Sequence, residues 1–196
     1  MSQTLTMFSD LLSYVPENEQ EECDKKAILE VMTNNRDCFH RSEVAHMACS
    51  VWTVDPTYTK TLLVHHNIYD SWSWIGGHAD GNTDLASVAL RELEEETGVT
   101  GTLVDCGPGK IFSIDVLTVD GHQKNGAYVG SHLHMNVTYL AVADPDQPLR
   151  VKPDENSGVQ WVDLDQVIPL STEPWICEHV YKKLIRKTRQ LAAERS

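Results

Sequence analysis

The stretch GGHADGNTDLASVALRELEEETGV, residues 76–99, decides how this chain folds. Two glycines open it, an amphipathic segment fills it, and another glycine closes it. Asp84 is placed to cap a helix, because a short carboxylate can accept from the free amides of the first turn. Leu85, Val88, Ala89 and Leu93 then share one apolar face at helical spacing. Gly98 sits where a left-handed residue commonly ends a helix. This puts Glu92, Glu94, Glu95 and Glu96 in the closing turns, where unpaired carbonyls already make the helix end negative. Stability alone would favour cations there. Glu92, Glu95 and Glu96 stand at i, i+3 and i+4 and fall on one side, while Glu94 points elsewhere. Three neighbouring carboxylates raise one another's proton affinity unless a cation neutralises them. Hard oxygen donors of this kind suit Mg²⁺, with Mn²⁺ as a substitute. A solvated acidic face is the ordinary alternative for a run of glutamates.

The glycines before the run and Arg91 inside it shift the balance. With them the stretch resembles the Nudix box, G-x5-E-x7-R-E-U-x-E-E-x-G-U, where U is a bulky aliphatic. Gly77 matches the opening glycine, Arg91-Glu92-Leu93 matches R-E-U, and Glu95-Glu96 and Gly98-Val99 complete it. Thr83 stands where the first glutamate belongs. In the family that glutamate helps hold the arginine, so Asp84 or Asp80 is the expected substitute partner of Arg91. The resemblance covers the box closely and, more loosely, the order of strands from about residue 44 to 168.

The resemblance implies the Nudix fold, an α/β (α+β) arrangement with a mixed β-sheet sandwiched between helices and the box as loop–helix–loop. Strands interspersed with a central helix and later helices point independently to such layering. It also implies hydrolysis of a pyrophosphate bond in a nucleoside diphosphate derivative or related phosphoanhydride. The metal set it implies is Glu92, Glu95, Glu96 and the carbonyl of Gly77, with Arg91 orienting the glutamates by ion pairing. Many Nudix proteins carry a glutamate just before a strand like QWVDL, which makes Glu155 a candidate metal contact or general base beside Glu92. Taken alone, Glu155 reads first as an ordinary loop carboxylate. Divalent ions held there would neutralise phosphate oxygens and lower the pKa of a bound water.

Composition bounds the rest. A chain of 196 residues, 41% hydrophobic, is long enough for one domain with a sizeable core. We divide it into an N-terminal helical extension, residues 1–38, and a domain over residues 39–196 that includes the C-terminal helix. No run approaches membrane-spanning length, and the N-terminus lacks the charged start and apolar centre of a signal peptide. Five dispersed cysteines, with no C-x-x-C, read as reduced thiols of a cytoplasmic protein and not as a disulfide frame or zinc site. The formal net charge of −13 argues against nucleic acid held through its phosphate backbone. For an anionic substrate that charge is an obstacle, which a bound divalent ion would remove by inverting the local field.

Along the chain, residues 3–14 and 19–34 read as helices separated by Pro16, the second apolar at Ala27, Ile28, Val31 and Met32. Packing onto the core is their expected role; a homodimer contact or a cover over the substrate pocket is the alternative. Residues 44–54 and 61–66 read as strands joined by a turn at DPTY. His46 alternates with Ala48 and Ser50 and is a lone histidine. Trp72 and Trp74 share a face before the glycines; core packing is the default, and a stacking surface for a nucleobase the functional alternative for Trp74. Residues 102–106 and 110–119 read as strands, and DGHQKNGAYVGS as a polar surface loop, a candidate lid. His132, His134 and Asn136 then share one face of a strand. As zinc ligands the two histidines lack a third partner at useful sequence spacing, so a substrate-facing polar surface is the preferred reading, with a hydrogen-bonded structural role as the alternative. Residues 159–162 form a strand, Asp163-Leu164-Asp165 starts a short helix, and residues 173–193 form an amphipathic helix with a basic strip at Lys182, Lys183, Arg186, Lys187 and Arg189, expected in water.

The substrate is not legible. The region of Ile114 to Leu117 has neither the proline common in ADP-ribose Nudix enzymes nor the tyrosine of dinucleoside polyphosphate enzymes, and the four-cysteine zinc module of NADH-type enzymes is absent. A metal-dependent pyrophosphohydrolase is the favoured reading. A non-catalytic nucleotide sensor, made conceivable by Thr83, and a prenyl diphosphate isomerase using Cys49 are the alternatives.

Overall fold

The computed structural model describes residues 3–124 and 126–195. In chain order the elements are α1 (Gln3–Ser13), α2 (Glu19–Asn34), β1 (Ala45–Val54), β2 (Lys60–His66), β3 (Ser71–Ser73), β4 (Ile75–His78) and α3 (Leu85–Thr97). There follow β5 (Thr102–Leu103), β6 (Ile111–Val119), β7 (His122–Lys124), β8 (Ala127–Val129), β9 (His132–Val142) and β10 (Asn156–Asp163). The chain ends in α4 (Val167–Leu170), α5 (Pro174–Ile176), a π-helical turn Cys177–Tyr181 and α6 (Lys182–Arg195). The fold is mixed α+β, a mixed sheet flanked by helices. Among the described residues no helix is long and apolar enough to cross a membrane.

Two compact units make up the chain. The first holds the described residues of Met1–Ser50, Gly76–Ala89 and Asp105–Tyr139. In it β4 pairs with β1, and β6 pairs antiparallel with β9 from Ile111↔Tyr139 to Val119↔His132. Helices α1 and α2 pack on this unit through one buried carboxylate. Glu21 accepts from the Tyr14 hydroxyl at 2.8 Å and from the Ser113 hydroxyl at 2.9 Å. The backbone amide of Glu17 donates to it as well, at 2.8 Å. Gln20 adds a bond to Asp115 at 3.1 Å, and Asp24 accepts from the Val116 amide at 3.1 Å. Three acidic residues in the first turn of α2 suit the positive helix start, and Asn18 caps it by accepting from the Glu21 amide. The expected surface loop contains a small hairpin, His122↔Val129 to Lys124↔Ala127, with Gly126 beside it at a φ of 79°.

The second unit holds Val51–Ile75, Leu90–Val104 and the described residues of Leu140–Ser196. Here β2 lies between β1 and β10 and also carries β3, while β5 pairs with the end of β9. The β2–β10 register runs from Asn156↔His66 to Asp163↔Lys60 with an irregularity at Asn156/Gly158. Trp52 donates to Thr188 at 3.0 Å and lies near Tyr181, which seats the C-terminal helix. Lys183, placed by sequence in the solvated basic strip, is buried at 2% exposure, because it falls on the inward side with Leu184 and Ile185.

Helix α3 follows the reading of its sequence. Asp84 accepts from the Ser87 amide at 3.2 Å, and Leu85, Val88, Ala89 and Leu93 are fully buried. Gly98 takes a φ of 75° and its amide donates to the Glu94 carbonyl at 2.9 Å. The expected strand over 102–106 is shorter: Asp105 turns the chain by accepting from the Gly107 amide at 3.0 Å.

Candidate functional site

The acidic face of α3 is completed from the loop before β10. Glu92, Glu96 and Glu155 each offer a carboxylate oxygen, and these oxygens lie within 4.8 Å of one another. Glu96 is buried at 3% exposure; Glu92 and Glu155 are partly open. What brings Glu155 there is a tight turn, in which the amides of Glu155 and Asn156 both donate to the Lys152 carbonyl at 2.8 Å. Asn156 then locks that turn to the helix end: its side-chain amide donates to the Glu96 carbonyl at 3.0 Å and its oxygen accepts from the Lys152 amide at 3.2 Å. Sequence reasoning gave Asn156 no role. Its only signal was an asparagine beside the candidate glutamate, where a side chain can both donate and accept.

Glu95 lies outside this trio. It faces Arg91 at 3.6 Å and Lys152 at 3.5 Å. Helical spacing puts Glu92, Glu95 and Glu96 on one side, but tertiary packing groups Glu155, and not Glu95, with the other two. Arg91 also pairs with Glu92 at 2.9 Å, the orienting contact expected of it. Asp80 forms a two-pronged pair with Arg41, one arm at 2.6 Å, and Asp84 is engaged as the helix cap. Lys152 brings a positive charge to the group, 2.9 Å from Glu155. Burial works against that charge, but the hydrogen bond to Glu155 and the charges of Glu155, Glu92 and Glu95 outweigh it and hold the Lys152 pKa above its ordinary value.

Trp74 falls between β3 and β4, its ring edge-on to Tyr181 with centroids 5.2 Å apart. That contact is core packing, though the indole N–H is buried without a hydrogen-bond partner.

In the first unit, Gly77 lies in β4 beside Gly76. At Gly76 an added Cβ would meet the Cys49 carbonyl and the Ser50 hydroxyl at 2.7 Å, so the strand can approach β1 this closely only with glycine. His132 and His134 are brought together as their spacing predicts, and two further histidines join them. His78 from the end of β4 and His46 from β1 complete a group whose ring nitrogens lie within 4.8 Å of one another. The absence of a third partner, inferred from sequence spacing, is therefore corrected by the pairing of strands. Burial first, and then the neighbouring charges, lower the His78 pKa to about 3 and the His134 pKa to about 2. A neutral His134 imidazole adds no positive charge for phosphate.

An RNA pyrophosphohydrolase of Sphingopyxis alaskensis is 29% identical over 101 residues, 50% of this chain and 64% of that protein. Another RNA pyrophosphohydrolase, from Erythrobacter litoralis, is 28% identical over 125 residues, 62% of this chain and 75% of that protein. The crystal structure of a NUDIX-family hydrolase from Clostridium perfringens superposes with a TM-score of 0.52 at 20% identity, covering 71% of this chain and 95% of that one. At that identity the likeness is one of fold. The NUDIX domain profile matches residues 44–184, a span that holds the box, the carboxylate trio and all four clustered histidines. The chain belongs to the NUDIX family.

Proposed function

We propose that this protein hydrolyses the pyrophosphate bond of a nucleoside diphosphate derivative or related phosphoanhydride, with a divalent cation, Mg²⁺ first, as its cofactor. The observation that carries this reading is the convergence of the Glu92, Glu96 and Glu155 carboxylates within 4.8 Å. The donor set is all hard oxygen, so the residues fit such an ion. Glu92, Glu96 and Glu155 would hold it. Bound there, the ion supplies charge neutralisation for phosphate oxygens and a more acidic water.

The chain's own groups do the rest. Arg91 restrains Glu92 and Glu95 by ion pairing. Lys152 steadies Glu155 and links it to Glu95. Glu92 or Glu155 takes the proton of the attacking water; both are partly open, so a water can come within hydrogen-bond reach of either. The two curated relatives are named for RNA, so a 5′-triphosphate end of RNA is one substrate to test alongside free nucleotides. The charge of −13 disfavours recognition of a long phosphate backbone and favours a substrate presented by its terminal phosphates.

The test is a panel of nucleoside diphosphate derivatives, dinucleoside polyphosphates and 5′-triphosphate RNA with Mg²⁺, followed by identification of products. Phosphate or pyrophosphate release that requires the cation supports the proposal. Binding without turnover across the panel would overturn it in favour of a nucleotide sensor, and isomerisation without phosphate release in favour of the prenyl diphosphate reaction.

A further inference from the structure

We propose that His46, His78, His132 and His134 form a site for a first-row divalent transition ion, zinc foremost, with a ligand set distinct from the carboxylates of Glu92, Glu96 and Glu155. The proposal does not depend on the hydrolytic reading.

Four imidazoles each turn one ring nitrogen toward a common point, all within 4.8 Å of one another. Nε2 of His132 lies 3.1 Å from Nε2 of His134, which lies 3.2 Å from Nε2 of His78. Two nitrogens bound tetrahedrally to zinc at about 2.0–2.1 Å are separated by roughly 3.3–3.4 Å. Those two pairs are thus close to ligand spacing, and only the wider ones must contract.

Hydrogen bonding on the far side of the rings aims the lone pairs inward. Nδ1 of His46 lies 2.6 Å from the Glu43 carbonyl, and Nδ1 of His132 lies 2.9 Å from the Gly130 carbonyl. A carbonyl only accepts, so each Nδ1 carries the hydrogen and each Nε2 is a lone-pair donor. A backbone carbonyl behind the ring is the usual device that orients a metal-bound histidine. His46 is 1% exposed and its Nε2 has no hydrogen-bond partner. A buried acceptor left unsatisfied is costly, and an ion at the centre of the group would satisfy it.

A network of hydrogen bonds alone does not account for the group. Nε2 of His134 faces two other Nε2 atoms with at most one proton of its own, and His46 is left out altogether. All-nitrogen donors select zinc, cobalt, nickel or copper over magnesium. The four come from three strands, His46 on β1, His78 at the end of β4, and His132 and His134 on β9. Around them the chain is held by bonds from the Ala79 amide to the Met47 carbonyl at 3.2 Å and from the Gly81 amide to the Phe39 carbonyl at 2.8 Å. An ion here would staple three strands of the first unit.

The test uses the full chain, free of any histidine tag and stripped with a chelator, titrated with Co²⁺ and then Zn²⁺. One equivalent of Co²⁺ should give the visible absorption of tetrahedral cobalt, and one equivalent of Zn²⁺ should bleach it. His132→Ala and His134→Ala should each weaken binding by on the order of 100-fold or more, whereas the Glu92→Gln/Glu96→Gln double variant should keep the cobalt band. His132 is partly exposed, so its variant decides the matter if His134→Ala proves unfolded by circular dichroism. No cobalt band in the wild type, a band that survives in folded His132→Ala, or one lost in the glutamate variant would each overturn the proposal. Mg²⁺-dependent turnover is read separately, so the two proposals can fail independently.

Discussion

The Lys152 ammonium lies 2.9 Å from a carboxylate oxygen of Glu155, inside the acidic group where a divalent cation is proposed to bind. One monovalent charge therefore occupies the neighbourhood that the cation needs. Lys152→Ala is expected to tighten Mn²⁺ binding several-fold, read by electron paramagnetic resonance or calorimetry, because a competing cation is removed. Unchanged or weaker binding would show that Lys152 supports the site and does not compete for it.

Glu155 joins the trio and Glu95 does not, which ranks two substitutions that the box alone would rank the other way. Glu155→Gln should lower Mg²⁺-dependent turnover by on the order of 100-fold and Glu95→Gln by roughly tenfold or less, since Glu95 acts through Arg91 and Lys152. Glu94→Gln, at an exposed position on another face, should leave turnover unchanged. Steady-state kinetics over a Mg²⁺ series checks the order; a larger loss from Glu95→Gln would return the role to the box residue.

Glu21 is fully buried and joins α1, α2 and β6 through Tyr14 and Ser113. Burial, and then Glu21 itself, push the Tyr14 hydroxyl pKa up, so the tyrosine remains a donor at any ordinary pH. Glu21→Ala removes the acceptor that these buried hydroxyls share, leaving the longer contacts to the Phe112 carbonyl at 3.5 Å and to Asp115 at 3.4 Å, and should cost about 3 kcal/mol in urea unfolding. A loss below about 0.5 kcal/mol would mean that the helices dock through apolar contacts alone.

Burial raises the Glu173 carboxyl above its ordinary 4.5, with a Ser71 hydrogen bond acting in the opposite sense. The folded state then holds this proton more tightly than the unfolded state. Its contribution to stability is fully present below about pH 4.5 and is lost as pH rises through the folded-state value. Glu173→Gln mimics the neutral form, so it should match the wild type near pH 4 and melt higher at about pH 8. Equal melting temperatures at both values would contradict the linkage.

Local chemistry made α3 legible at both ends. Asp84 and Gly98 act within a few residues of themselves, and the apolar set Leu85, Val88, Ala89 and Leu93 needs only helical periodicity to be seen. Strand positions were readable for the same reason, with the starts of β1 and β2 shifted by one residue. The short strand after residue 102, the hairpin in the polar loop and the burial of Lys183 were not. Each depends on what lies opposite, a turn closed by Asp105, a pairing across a glycine, or a helix face turned inward.

By itself, the amino-acid order determined the family box, the helix that carries it and the acidic character of its end, because caps, periodicity and charge act over one or two turns. The tertiary structure alone decided which carboxylates meet and that four histidines do. Glu155 reaches Glu92 and Glu96 through a turn locked by Asn156, and His46 and His78 reach His132 and His134 across paired strands. Strand pairing and loop closure join residues far apart in the chain, and sequence spacing carries no record of a distance set by hydrogen bonds between strands.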